Sequence, residues 1–356
     1  MTGHRPTPDR LRDSTFLAAC RAEPHDRTPV WFMRQAGRSL PEYRAIRGSG
    51  SILEVIADPK LSAEITLQPV RRYGVDAAIL YSDIVVPAHA VGFGVDVKPG
   101  IGPFVESPFE RAADLQRLRP LEPDIDTPYV LETVRRVVEE ADVPVIGFAG
   151  APFTVASYLI EGAPSRTYGR TKALMLGDTG LWHDLMDRLA DMAISSLCSQ
   201  IAAGASAVQL FDSWAGTLSP PTYEKYVLPH SRRVFESLAE TRVPRIHFGV
   251  GTSEILGLMT AAGADVIGID WRIPLDEARR RLGPETVLQG NLDPAICLGP
   301  ADKIEAVVAS EVADVLARND GHPGHVFNLG HGVLPEIDPV VLERVVEQVH
   351  AHPLDS

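Results

Sequence analysis

The sequence predicts an α/β protein, a single-domain (β/α)8 TIM barrel, and three observations carry that expectation. Short apolar, β-branched segments bounded by Gly, Pro or Asp alternate with longer amphipathic stretches along the whole chain, the rhythm of βα units around a parallel sheet. About eight such segments occur, the number that closes a barrel, and 356 residues is a length that such barrels reach as one folding unit. The rival open, doubly wound sheet requires a phosphate-binding turn, and neither GxGxxG nor GxxxxGK occurs.

In chain order the strand segments are Pro29–Met33, Asp76–Ser82, Pro144–Ala149, Ala207–Phe211, Pro244–Phe248, Asp265–Ile269, Thr286–Gly290 and His325–Leu329. The first is the member whose place in the ring the sequence leaves open. Apolar residues at three- and four-residue spacing predict helices over Leu131–Glu140, Leu181–Ala203 and Asp302–Ala317. Val91–Glu106, with four glycines and two prolines, predicts a loop or hairpin over one barrel end. Residues 1–12 are polar with no apolar core of a signal peptide and are expected to form a tail, the barrel to run from 13 to 350, and 351–356 to be a second tail.

Composition narrows the function. A hydrophobic fraction of 45% and a charged fraction of 23% suit a soluble globular protein, and no apolar run is long enough to span a bilayer. A cytoplasmic location is expected. Acidic residues outnumber basic ones 47 to 34, a field that repels nucleic acid and anionic membranes. An anionic ligand therefore needs a local basic patch. Cys20, Cys198 and Cys297 are far apart and form no CxxC pair, so no disulfide framework or zinc knuckle is expected.

In such barrels the chemistry sits on loops after the strands. The segment MRQAGRSLPEYRAIR places Arg34, Arg38, Arg44 and Arg47 within fourteen residues, offset only by Glu42. Guanidinium groups stay charged and bind carboxylates bidentately, so the group suits a ligand with several carboxylates. The same charges also fit a solvated helix face. Gly37, between two arginines, favours a site because it lets backbone approach a ligand. Asp83 lies where the apolar run AILYS meets a loop. It reads either as an acceptor for ring N–H groups, or as a helix cap or ion-pair partner.

GFAGAPFTVASYLIEG predicts a strand, a turn and a helix capped by Thr154, with Tyr158 one turn inside. Tyr158 is a ligand-facing hydroxyl or a core tyrosine. In QLFDSWAG, Asp212 and Ser213 end a strand, and Ser213 is placed to offer a hydroxyl. In FNLGHG, His331 lies between two glycines and is expected to be exposed at the site. The absence of GxSxG and HExxH removes support for serine-hydrolase and zincin chemistry. None of the five lysines lies at a strand end, which argues against Schiff-base chemistry. His322 and His325 in GHPGH are read as loop histidines, and no metal is expected.

Taken together, PVWFMRQAGRSLPEYR, YSDIVVPAHAVG, GFAGAPFTVASYLIEG, QLFDSWAG and FNLGHG resemble the uroporphyrinogen decarboxylase family from about Thr28 to His350. The resemblance implies a (β/α)8 barrel and a homodimer, acting without metal or cofactor. It implies conversion of the four acetates of uroporphyrinogen III to methyls, giving coproporphyrinogen III and CO2 in porphyrin and heme biosynthesis. It also implies that Arg34, Gln35, Ala36, Gly37, Arg38 and Arg47 bind substrate carboxylates, that Asp83 holds the pyrrole N–H groups, and that Tyr158, Ser213 and His331 contact substrate. Asp212 and Trp214 stand where some relatives carry Glu and His. The proton donor stays open between Arg34, Tyr158 and a water. Related cobamide-dependent methyltransferases bind zinc through HxC and a later Cys, whereas the equivalent stretch here is His247-Phe248-Gly249. A porphyrin carrier is the other alternative, though a carrier would need only the arginines.

Overall fold

The computed structural model describes residues 9–48, 50–98 and 102–352. Seven parallel strands form one sheet in sequential order: β1 (Ala78–Ile79), β4 (Val145–Gly150), β5 (Ala207–Phe211), β6 (Arg245–Phe248), β7 (Val266–Gly268), β8 (Val287–Gln289) and β9 (His325–Val326). The chain between Val91 and Glu106 does form a hairpin, β2 (Val95–Lys98) against β3 (Gly102–Val105). Helices fall where the apolar period predicts them: Pro128–Glu140, Thr179–Ala203 and Ala301–Asn319.

The segment Pro29–Met33 is not a strand. It makes one parallel bridge, Val30 with Phe327, and the reason lies in its backbone donors, which must all find partners once buried. Side chains take three of them: Asp76 Oδ2 accepts from Val30 N at 2.8 Å, Gln35 Oε1 from Phe32 N at 3.0 Å, and Asn328 Oδ1 from Met33 N at 3.1 Å. What remains ties the segment to both margins of the sheet. Phe327 N donates to Pro29 O at 2.8 Å, and Asp76 N to Val30 O at 2.8 Å. One five-residue segment reaches the chain beside β9 and beside β1, so the sheet curls and the fold is TIM-barrel-like.

The space inside the curl is filled by side chains. Trp31 Nε1 donates to Gln289 Oε1 at 3.1 Å, and Gln289 Nε2 donates to Gln209 Oε1 at 2.9 Å, a buried polar chain from the first segment through β8 to β5. Each link satisfies a group that would be costly to bury alone.

Of the tail expected over residues 1–12, residues 1–8 lie outside those described, and Asp9–Arg12 is a short helix instead. Leu11 explains the difference, because burying its side chain favours an ordered, packed segment. At the other end the helix Pro339–Ala351 runs one residue beyond the expected boundary, and residues 353–356 lie outside those described.

Candidate active site

The arginine segment is a strained loop followed by a short helix, Pro41–Arg47. Arg34, Gly37 and Arg38 have φ of 61°, 98° and 37°. Left-handed backbone at two non-glycine residues costs of order 1 kcal/mol each and persists only where surrounding contacts impose it. Here the contacts come from the last loop: Val333 N donates to Met33 O at 2.8 Å, and the Arg38 guanidinium lies 3.4 Å from Val333 O. Gly332 completes the fit. A Cβ there would stand 2.6 Å from Arg34 Cδ and 2.8 Å from Cγ, so only glycine lets the Arg34 stem lie across it. The two motifs RQAGR and NLGHG, some 300 residues apart in sequence, thus form one surface.

None of Arg34, Arg38, Arg44 and Arg47 pairs with a carboxylate among the described residues. Arg34 is exposed, and Arg47 Nε is buried without a hydrogen-bond partner. Arg47 also stands 5.9 Å above the Tyr43 ring. Arg44 acts differently, reaching Arg38 O and Pro335 O and so bracing the loop. Gln35 is buried with its side chain spent on Phe32 N and Ala77 O, and its own N–H on Phe32 O. It holds the loop to the sheet and offers nothing outward. Ala36 is half-buried against the core, and Gly37 packs against the Tyr43 ring.

Asp83 follows β1 at the sheet edge where the strands' C-terminal ends gather. Its Oδ1 accepts from Val85 N at 3.1 Å. Burial pushes its carboxyl above the usual range, and the Val85 N–H and the Arg34 charge only partly offset this. Tyr158, on the helix Pro152–Glu161, shares that field. Its hydroxyl is pushed up to about 12, first by burial and then by the Asp83 charge, against Arg34 and a hydrogen bond from Trp214. The Arg34 charge therefore reaches both Asp83 and Tyr158, and the Asp83 charge reaches Tyr158. The Tyr158 and Trp214 rings meet edge to face at 5.8 Å.

Thr154 is not the cap of that helix. Pro152 occupies the first turn, Ala151 precedes it without a side-chain cap, and the Thr154 hydroxyl instead donates to Asp212 Oδ1 at 3.0 Å while accepting from Trp214 N at 3.2 Å. Asp212 is fully buried and so anchors the turn that presents Ser213, which is part-exposed. Phe148 inside β4 and Phe211 and Phe248 at the ends of β5 and β6 pack in a row, Phe148 against Phe211 at 5.5 Å and Phe211 against Phe248 at 6.1 Å. His331 stacks on Phe248 at 6.4 Å. It is less exposed than its flanking glycines suggest, and burial followed by the Arg34 charge brings its imidazole down to about 4.

Asp270, Trp271 and Arg272, which follow β7, belong to no motif that the sequence singles out. The strand-end rule that selects Asp83 and His331 would have reached them. His247 is fully buried behind this edge, its ring against Phe235, Nδ1 3.4 Å from Met259 O and Nε2 3.8 Å from the Asp212 carboxylate. His322 and His325 hydrogen-bond Gly324 N and Gly290 O, respectively, and among the described residues no group of three His, Cys, Asp or Glu could hold a metal ion.

The uroporphyrinogen decarboxylase family model matches residues 11–352. A uroporphyrinogen decarboxylase of Thermobifida fusca is 60% identical over 341 residues, covering 96% of this chain and 93% of that one. One from Salinispora tropica is also 60% identical, over 346 residues, covering 97% and 92%. Among solved structures, a methyltransferase from Methanosarcina mazei aligns with a TM-score of 0.76 at 21% identity, covering 95% of this chain and 98% of that one. That last likeness is one of fold.

Proposed function

The chain belongs to the uroporphyrinogen decarboxylase family, and we propose that its activity, decarboxylation of the four acetates of uroporphyrinogen III to methyls, is carried by Asp83, Arg34 and Tyr158. The observation that supports this assignment is that Asp83 after β1, Tyr158 on the helix after β4 and the Arg34 stem across Gly332 gather at the strands' C-terminal ends, where the Arg34 charge reaches both of the others.

Each step replaces a carboxylate with a proton and releases CO2. Protonation of a pyrrole carbon makes the ring an iminium, and the electron pair of the breaking C–C bond flows into it. The exocyclic methylene then takes a proton to become methyl, and the ring proton leaves. The substrate is its own electron sink, so the chemistry asks no cofactor of the protein. A fixed anion beside the developing cation lowers the barrier most, and that is the role of Asp83, whose carboxylate also accepts pyrrole N–H groups. Those donors reverse the burial penalty, since hydrogen bonds to a carboxylate favour its charged form. The first proton comes from Arg34, from Tyr158, whose hydroxyl stays protonated at working pH, or from a water. Arg38 and Arg47 hold peripheral carboxylates together with Arg34, Gly37 and Ala36 let the loop backbone close on the substrate, and Ser213 and His331 contact it, with Gln35 supporting from behind. The Pro29–Met33 segment serves as the eighth wall of a closed, single-domain barrel, and two such chains form a cytoplasmic homodimer, which light scattering of the purified protein checks.

Metal-stripped protein incubated anaerobically with uroporphyrinogen, then oxidised and chromatographed, should yield porphyrins with seven to four carboxyls. Recovery of the eight-carboxyl species alone would defeat the reading and leave a carrier.

A further inference from the structure

The substrate brings eight carboxylates, four acetate and four propionate, to a chain of net charge −13. The arginine loop supplies three guanidinium groups that no carboxylate among the described residues occupies, those of Arg34, Arg38 and Arg47, and Arg38 is also drawn to Val333 O, so eight carboxylates call for further cations. The loop after β7 holds another. Arg272 is exposed, its side chain at 48%, yet it is not free to wander. Asp270, which is 2% exposed, accepts from Arg272 N at 2.9 Å and from Arg272 Nη1 at 2.5 Å, while Gly251 N holds the same carboxylate at 2.5 Å. The guanidinium carbon rests 4.0 Å above the Trp271 ring.

A buried carboxylate with three donors and an indole platform fix one pose and leave the remaining guanidinium N–H groups uncommitted. Helix-surface pairs here are unlike this: Arg280, with a side-chain exposure of 72%, pairs with its own helix neighbour Glu277. Such pairs add little stability and fix nothing, whereas a preorganised arginine loses less entropy when it binds.

The last loop puts Arg272 at the active-site rim. A Cβ on Gly330 would fall 2.4 Å from Trp271 N, and one on Gly332 would fall 2.6 Å from Arg34 Cδ. His331, between these glycines, is thus flanked by Arg34 on one side and the Asp270–Arg272 turn on the other. The charges of both arginines depress its imidazole. Arg272 therefore lies across His331 from Arg34.

We propose that Arg272 is a further substrate-binding residue, which takes a carboxylate other than the one being lost and is aimed by Asp270 and Trp271. The inference rests on the decarboxylase reading of the site. Its signature is binding that is equal in ground and transition states, which appears in KM.

Arg272→Gln and Arg272→Lys are compared with wild type for KM and kcat on uroporphyrinogen, and for Kd by fluorescence titration with uroporphyrin, which is not turned over. We expect Arg272→Gln to raise both KM and Kd about tenfold, the scale of one charge-assisted contact, with most of that regained in Arg272→Lys. A brace serving only Asp270 would lower kcat and the thermal midpoint and leave KM and Kd where they were, and that result overturns the proposal. If wild type turns over uroporphyrinogen and Arg272→Gln binds and reacts as wild type does, Arg272 is dismissed and the decarboxylase reading stands. If wild type fails to turn over but Arg272→Gln still weakens uroporphyrin binding, the activity falls and the contact survives.

Discussion

Asp76 and Asp83 sit seven residues apart at opposite ends of β1, and the structure treats them in opposite ways. Asp76 is saturated: it accepts from Arg27 Nη2 at 2.7 Å and Val30 N at 2.8 Å, and its Oδ2 lies 2.7 Å from His350 Nε2. It welds the first segment and the last helix to the sheet. Asp83 has the N–H groups of its own turn and the field of Arg34, and burial leaves its carboxyl above the usual range. Saturation is what a buried carboxylate needs for stability, and incomplete saturation is what it needs in order to bind a ligand. Barrels divide their labour the same way, with stability at the strands' N-terminal ends and chemistry at their C-terminal ends.

Exchanging the charge at each position tests that division. Asp83→Asn keeps the shape and removes the anion, and kcat should fall by at least about 10²–10³, the effect of deleting one preorganised electrostatic partner, with the thermal midpoint held or raised because a partly desolvated charge is gone. Wild-type turnover in that variant would remove Asp83 from the mechanism. Asp76→Asn should do the reverse, losing about 3 kcal/mol of stability by stranding its partners while activity per folded molecule survives. Urea melts and active-site titration on the same samples separate the two. If Asp76→Asn stops turnover without destabilising the fold, the comparison is mistaken.

The same contrast explains what could be read from sequence. The long helices were legible because a 3.6-residue apolar period survives any environment that buries one face, as at Thr179–Ala203. Asp83, Tyr158 and His331 were legible because each follows a strand segment. Pro29–Met33 read as a strand from its apolar run, yet its pairing was decided by Asp76, Gln35 and Asn328, residues up to 295 positions away. Thr154 stood where a cap belongs, but Pro152 already suited the first turn, and the hydroxyl found Asp212. Local propensity states what a residue can do, and tertiary partners select among those options. Arg272 shows a different gap, since its position after β7 was visible while its buried partner Asp270 was not.

A milder perturbation probes how the site end is assembled. Gly332→Ala inserts a methyl against the whole Arg34 stem without demanding a new backbone shape, so the guanidinium must move while the fold stays. We expect kcat/KM to fall about tenfold, since displacing a positioned group by an ångström is enough to cost that much. The acid limb of kcat/KM should also rise in pH. Arg34 favours the charged form of Asp83, and with the cation moved away the carboxylate takes up its proton at a higher pH as the medium is acidified. An unmoved limb would mean that Arg34 does not set the Asp83 charge.

The smallest effect concerns His331, and it asks whether the site end carries a stability cost that the Asp76 end does not. Burial and the Arg34 charge take its imidazole to about 4, below the roughly 6.5 of an unfolded histidine. The folded state therefore binds this proton more weakly than the unfolded state. The stability from keeping His331 neutral is complete above about pH 6.5 and is lost as pH falls towards 4, with a slope of at most about 1.4 kcal/mol per pH unit for one group. His325, fully buried in β9, is also brought down to about 4, so wild type should lose stability through both. His331→Gln removes one of the two, and urea midpoints between pH 7 and pH 4.5 should fall less steeply in the variant. Equal slopes would mean that His331 keeps its proton-binding strength on folding, and that the two arginines beside it do not reach it as their positions require.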